Sequence, residues 1–314
     1  MKEQLESLNS VTINFGEGGM MLVNIILAFV MFGVALGIKP RTIKDVVKKP
    51  KSIITGIVLQ WVALPAITFA VAMILSPLIT PMIALGMILV ASCPGGNISN
   101  FLSSLSKGNI MLSVSLTAIT TTMSPIITPI NFFLWGSLYS HFISIKSEIP
   151  LLIIPFFPML IQILLLLGLP IVLGLLFAHY FPSATKKIIK PSQALSVMLF
   201  IGMVIVSFAQ NFQIFIDNIF YVFFIVMLHN GVALATGYFG GKFAKLPQND
   251  IKTMTIETGI QNSGLGLILL FNPAIFPPEI WHGHYGGMLF ITAWWGIWHI
   301  VSGLCVASYF RRKL

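Results

Sequence analysis

Nine long apolar runs constrain this chain more than any other feature of it. They cover roughly residues 20–38, 53–76, 82–106, 110–136, 151–179, 194–210, 219–240, 252–271 and 287–310. A helix needs about 20 apolar residues to cross the ~30 Å hydrocarbon layer of a bilayer. Backbone polar groups at that depth must be hydrogen-bonded within the protein, so a spanning chain is either helical or a closed barrel. A barrel would show apolar residues alternating with polar ones in segments of about ten residues. These runs are instead continuous, and they end in basic clusters or Gly/Pro turns. The expected fold class is therefore an all-α polytopic membrane protein with nine transmembrane helices. With 56% hydrophobic and only 9% charged residues, against about 25% charged in soluble domains, the chain is excluded from the soluble globular class.

Eighteen Lys and Arg stand against nine Asp and Glu, an excess that in a soluble chain would suggest nucleic acid or an acidic partner. Their placement gives a different use. Lys39, Arg41, Lys44, Lys48, Lys49 and Lys51 in loop 39–52, Lys107, Lys186, Lys187 and Lys190 in loop 182–193, Lys242 and Lys245 in loop 241–251, and the tail Arg311, Arg312 and Lys313 all fall on one side of the nine spans. The other side carries Lys2 and Lys146 alone. Basic loops stay cytoplasmic, which predicts a multi-pass cell-membrane protein with its N-terminus outside and its C-terminus inside. Nucleic acid is not expected as a partner; the lipid bilayer is. Residues 1–19, polar and acidic (Glu3, Glu6, Glu17), read as a retained extracellular arm, because a basic start followed by an apolar run is lacking. Residues 20–310 form the expected transmembrane transporter domain and 311–314 a cytoplasmic tail. Cys93 and Cys305 both sit in apolar stretches, which supports neither a disulfide framework nor a Cys/His zinc site.

Of the nine acidic residues, Glu257 alone falls inside a predicted span; Asp45, Glu148, Asp217, Asp250 and Glu279 are assigned to loops or span ends. An ionised carboxylate at membrane depth costs several kcal/mol unless compensated, and no Lys or Arg is expected deep in a span. A cation or proton from solution is the leading partner. Permanent protonation, or a position near the cytoplasmic mouth, stays open as the alternative. Residues 257–264, Glu-Thr-Gly-Ile-Gln-Asn-Ser-Gly, make a poor continuous helix. Unwound backbone at this depth is tolerated where it lines a cavity, and its freed carbonyls suit sodium. A second interruption, residues 92–100, Ser-Cys-Pro-Gly-Gly-Asn-Ile-Ser-Asn, breaks span 3. The two breaks occupy the third span of block 1–4 and the third span of block 6–9, and these blocks run oppositely across the membrane. Such paired breaks point to an inverted-repeat secondary transporter with its site at the midplane.

Other activities fit less well. Gly264-Leu265-Gly266 lacks the rest of a P-loop, so a gradient rather than a nucleotide must supply the energy. His282 and His284 lie in a Gly/Pro-rich external loop without nearby Cys or Asp. The glycosylation sequon Asn97-Ile98-Ser99 is inside a span. A channel would need a continuous polar pore, and an enzyme would need more than His299 with no acid beside it. No enzymatic activity is expected.

The two broken motifs also carry a resemblance. Cys93-Pro94-Gly95-Gly96 with Ser99-Asn100, and Glu257 with Gly259-Ile260-Gln261-Asn262-Ser263-Gly264, closely resemble the signatures of the bile acid:sodium symporter family. The likeness extends over almost the whole chain. It includes Gln60 five residues before Pro65, Gly108-Asn109, Ser113 with Thr117, and Trp298-His299 with Ser302-Gly303. The resemblance implies the nine-span form of the family. In that fold, spans 1, 5 and 6 form a panel domain, and spans 2–4 and 7–9 form a core in which the broken helices cross. It further implies two sodium sites, one from Ser99, Asn100, Ser113, Thr117 and Glu257, the other from Gln60, Glu257, Gln261 and main-chain oxygens near Thr258 and Ile260. Read from the residues alone, Ser113 and Thr117 share a helix face, yet helix back-bonding is the commoner habit of such hydroxyls. Asn97, Asn262 and His299 stand where relatives line the substrate cavity, although Ile300 replaces a frequent Asn and Asn97 a frequent Thr. The implied activity is sodium-coupled import of an organic anion, bile-acid-like steroids first, by alternating access. A small keto or hydroxy acid, carried with sodium or protons, is the alternative. Helix N-termini at the breaks would favour an anion without Arg or Lys in the cavity.

Overall fold

The computed structural model describes residues 2–10, 17–37, 50–96, 98–147, 156–210, 212–272, 275–276 and 285–312. Among these residues every regular element is helical. The helices are α1 (Lys2–Glu6), α2 (Glu17–Leu36), α3 (Pro50–Leu75), α4 (Pro81–Ser92), α5 (Ile98–Leu105), α6 (Ile110–Ser147), α7 (Phe156–Tyr180), α8 (Pro182–Gln210), α9 (Phe212–Phe243), α10 (Gln248–Gly259), α11 (Ser263–Leu270) and α12 (Gly286–Arg312). Five of them, α3, α6, α7, α9 and α12, are long and apolar enough to cross a membrane. Two of the predicted runs are not single helices: 82–106 is divided into α4 and α5, and 252–271 into α10 and α11.

Several boundaries move relative to the sequence reading. Segment 182–193, expected as a loop, is the start of α8, with Pro182 at its first position, where a missing N–H costs nothing. Helix α9 runs to Phe243, well into the expected loop 241–251. Helix α6 continues past residue 136 to Ser147 despite Pro125 and Pro129. Pro125 leaves the carbonyl of Thr121 without its backbone donor, and Ser124 Oγ donates to that oxygen at 2.8 Å. The N-terminal arm is not merely polar: Leu5 and Leu8, three residues apart, are fully buried, and Asn218 Nδ2 donates to Ser7 Oγ at 3.0 Å.

Prolines also explain the two π turns. Residues Leu59–Ala63 of α3 and Leu164–Gly168 of α7 each precede a Leu-Pro pair, Leu64-Pro65 and Leu169-Pro170. The N–H of Leu64 bonds to Leu59 O and that of Leu169 to Leu164 O. The extra residue in the turn relieves the clash a proline ring makes with the carbonyl four residues back.

Helices α4, α10 and α11 form the centre. Residues 82–92 and 250–259 are buried on every side, a pattern expected of helices surrounded by others. Helices α3, α6, α9 and α12 pack around them and turn apolar side chains such as Ile54, Val62, Ile74, Phe133, Phe224 and Val301 outward, as a lipid-facing surface requires. Helix α9 lies close against α10 because Gly237 lacks a side chain; a Cβ there would stand 2.3 Å from Met254 O.

Candidate functional site

Helices α4 and α10 end at a shared crossing. Pro94 cannot continue α4, and Gly95 and Gly96 let extended backbone pass. Beyond Gly259 the chain leaves the helix, with Ile260 at φ −113° and ψ 88°. Gly95 and Gln261 pair as an antiparallel bridge. Gly96 N–H donates to Ile260 O at 2.7 Å, and Asn262 N–H donates to Pro94 O at 2.8 Å. Each break thus supplies the backbone partner the other one lost.

Glu257, two residues before the end of α10, is fully buried at this crossing. Ser99 Oγ donates to its Oε1 at 2.5 Å, Ser113 Oγ donates to the same oxygen, and Thr117 Oγ1 lies 3.1 Å from Oε2. Asn100 Oδ1 is 2.9 Å from Ser113 Oγ and 3.5 Å from Thr117 Oγ1. Six side-chain oxygens, contributed by α5, α6 and α10, therefore converge around only three hydroxyl protons. That surplus of acceptors fits a hard cation and would be self-repelling without one.

The open question about the hydroxyls of α6 is decided by direction. Ser115 back-bonds to Met111 O and Thr122 to Ala118 O, each at 2.8 Å. Ser113 and Thr117 instead turn to Glu257. Lys252, buried five residues earlier on α10, has no hydrogen-bonding partner for Nζ among the described residues. Five residues at about 100° each place it on the other side of the helix from Glu257, so it is no counter-ion. Each hydrogen-bonding partner the structure gives Glu257 is uncharged.

Members of the second predicted set meet Glu257 and Gly95. Gln60, held in the π turn of α3, donates from Nε2 to Glu257 O at 3.2 Å. Gln60 Oε1 and Glu257 Oε2 both lie beside Gly95, where a Cβ would meet them at 3.5 and 3.0 Å. Gln261 Nε2 donates to Thr258 O at 2.9 Å. Gln60 Oε1, Gln261 Oε1 and Thr258 Oγ1 are buried with no hydrogen-bonding partner among the described residues. Buried oxygens without donors are costly, and oxygen donors of this kind suit a hard cation. The carbonyl of Ile260, expected in this set, accepts the Gly96 N–H.

The residues assigned to the substrate are less concentrated. Asn262 caps α11, its Oδ1 accepting the Leu265 N–H at 3.0 Å. His299, on α12, has Nδ1 2.7 Å from Trp295 O; with that nitrogen as donor, Nε2 remains an acceptor. Asn97 lies outside the described residues, as do His282, His284, Glu148 and Glu279.

Several polar positions escaped the sequence reading. Asp250, assigned to a loop, is buried in the first turn of α10 and accepts from Ser52 Oγ at 2.6 Å and Asn109 Nδ2 at 2.8 Å. His229 and Asn230 are both fully buried in α9. His229 Nε2 meets Thr68 Oγ1 at 2.9 Å, and Asn230 Nδ2 donates to Gly259 O at 2.7 Å. Two adjacent polar residues in the middle of run 219–240 were the available signal.

Comparison with known proteins decides the family. Residues 24–218 match the model described as the Sodium Bile acid symporter family. The chain belongs to that family. The family couples transport to sodium, and its members are membrane transporters rather than enzymes. A Bacillus subtilis protein named an uncharacterized sodium-dependent transporter, YocS, is 30% identical over 93% of this chain and 84% of its own length. A rice (Oryza sativa subsp. japonica) chloroplastic protein named a probable sodium/metabolite cotransporter, BASS2, is 31% identical over 81% of this chain but 58% of its own length. The human sodium-dependent organic anion transporter is 24% identical over 92% of this chain and 73% of its own. This sodium bile acid symporter family member thus pairs its broken helices around one carboxylate.

Proposed function

We propose that this protein imports an organic anion together with two sodium ions by alternating access, bile-acid-like amphipathic anions being the first substrate class. The observation that carries the reading is the fully buried Glu257, whose carboxylate meets the neutral hydroxyls of Ser99, Ser113 and Thr117. One ion is held by Ser99, Asn100, Ser113, Thr117 and Glu257. The other is held by Gln60, Glu257, Gln261 and main-chain oxygens at Thr258 and Ile260. One carboxylate against two cations leaves a net positive crossing, which attracts an anion bound beside it by Asn97, Asn262 and His299. The bridge between Gly95 and Gln261 supports a nine-span inverted repeat, with a core crossing at the midplane and a panel of spans 1, 5 and 6 against which it moves. The basic loops support an external N-terminus and a cytoplasmic C-terminus; a reporter after Lys313 should read inside and one near Lys146 outside.

A small metabolite carboxylate is the second reading. It is favoured by the 31% identity to a protein named a probable sodium/metabolite cotransporter, against 24% to the organic anion transporter. Uptake into proteoliposomes of a panel containing cholate, taurocholate, pyruvate and lactate, with sodium replaced by potassium or choline, separates the two. Accumulation of none of these under a sodium gradient would overturn both substrate classes, and accumulation independent of sodium would overturn the coupling.

A further inference from the structure

The sodium reading places the ions at Glu257 and the substrate near His299, on different helices. A hydrogen-bonded path joins them. Asn230 Nδ2, from α9, donates to Gly259 O at 2.7 Å, the last carbonyl of α10 and two residues from Glu257. The other end of the same amide, Oδ1, accepts from Ser302 Oγ of α12 at 2.5 Å. Ser302 Oγ also lies 3.2 Å from His299 O, one turn back on α12.

We infer that Asn230 and Ser302 are positioning residues that transmit ion occupancy at the crossing to the substrate position at His299, and so set the strength of sodium–substrate coupling. The chemistry explains why an amide stands here. Only a side chain with both a donor and an acceptor on a short arm can hold a backbone carbonyl on one helix and a hydroxyl on another. Gly259 O is a carbonyl freed by the end of α10, so its direction follows that of the adjoining unwound residues 260–262, two of which, Ile260 and Gln261, belong to the second ion's proposed ligands. Asn230 is fully buried, hence water cannot replace a lost partner, and movement of Gly259 O drags the amide and with it Ser302. Apolar packing alone would join α9 to α12 without tying either of them to a carbonyl that stands between the two proposed main-chain ligands, Thr258 O and Ile260 O.

The inference rests on sodium binding at the crossing, and the test separates failure of that reading from failure of the link. A single thiol is placed at the substrate position by His299→Cys in a Cys93→Ala, Cys305→Ser background, because Cys93 and His299 are both buried and burial does not separate their thiols; the main-chain oxygen that Ser302 meets is kept. Two quantities are measured without any organic substrate: the sodium-dependent thermal shift, and the rate at which a small methanethiosulfonate reagent modifies the new thiol in sodium and in choline. Coupling free energies between sites correspond to about 5- to 150-fold effects, so sodium should change the rate at least about fivefold. Adding Ser302→Ala should reduce that change to less than about twofold while the sodium midpoint stays within about threefold, and Ser302→Thr, which keeps the hydroxyl, should restore it. No thermal shift with sodium in the parent overturns the sodium reading itself. A thermal shift with a rate that ignores sodium, or that responds equally with Ser302→Ala, overturns the link. Loss of sodium binding with Ser302→Ala would make Ser302 part of the ion site and overturn its coupling role.

Discussion

Replacing Glu257 by Gln separates the charge of the carboxylate from its shape. The amide is nearly isosteric and still offers one oxygen to Ser99 and Ser113, but it turns the other into a donor facing Thr117 Oγ1, 3.1 Å away. At an effective dielectric of about 20, a unit charge about 4 Å away contributes about 4 kcal/mol. At about 1.4 kcal/mol per decade, sodium affinity should fall roughly a thousandfold. Without sodium the sign reverses: the buried carboxylate has no ionic partner, so its removal leaves the sodium-free protein as stable as the parent or more so. Thermal unfolding in sodium and in choline reads both effects. At sodium about 100 times its Kd the parent gains about 2.7 kcal/mol, which corresponds to a rise in Tm of roughly 5 °C or more. The variant at the same concentration should gain less than about 0.1 kcal/mol by the same relation, and sodium-driven uptake should disappear. A Glu257→Gln protein that keeps the sodium-dependent shift would refute the shared carboxylate.

Three further outcomes follow from particular contacts. Ser113→Ala, which removes a hydroxyl aimed at Glu257, should weaken sodium binding by about tenfold, since a hydrogen bond to a charged group is worth about 1.5–3 kcal/mol. Ser115→Ala, two residues away and back-bonded to Met111 O, should leave sodium titrations unchanged; equal effects would remove the distinction drawn between them. Asn262→Ser keeps a capping oxygen for α11, so substrate affinity should fall while sodium affinity holds, whereas Gln261→Ala should weaken sodium first and substrate only through coupling. Fluorescence titrations with both ligands check this, and identical losses of sodium affinity would contradict it. Gly237→Ala brings a methyl group to within 2.3 Å of Met254 O, backbone that cannot swing aside. It should lower stability by about 1–3 kcal/mol and reduce monodisperse yield in detergent, and a parent-like Tm would show that α9 and α10 can separate without penalty.

The helical, membrane-spanning character was legible because hydrocarbon admits so few structures: about twenty apolar residues in a row have little choice but a helix, and five helices are long and apolar enough to cross. The breaks were legible for the same reason, since Pro94, Gly95 and Gly96, and Gly259 beside five polar residues, contradict an otherwise uniform pattern. Boundaries were less so. Segment 182–193 reads as a loop because its lysines are polar, yet polarity forbids burial and not helix, and α8 simply begins outside the apolar run. Asp250 was assigned to a loop by its charge, although a helix that starts early buries it against Ser52 and Asn109.

By itself the sequence determined that the chain is a helical membrane protein, that Glu257 needs a compensating partner, and which stretches cannot remain helical. All of these follow from the energy of single groups in a medium without water. Only the tertiary structure decided which hydroxyls turn toward the carboxylate and which back-bond, that Gln60 reaches it from a π turn forced by Pro65, and that Asn230 ties Gly259 to Ser302. Those facts depend on the direction of side chains across helices 29 to 197 residues apart in the chain. Periodicity along one helix carries no information about which residue of another helix will stand opposite.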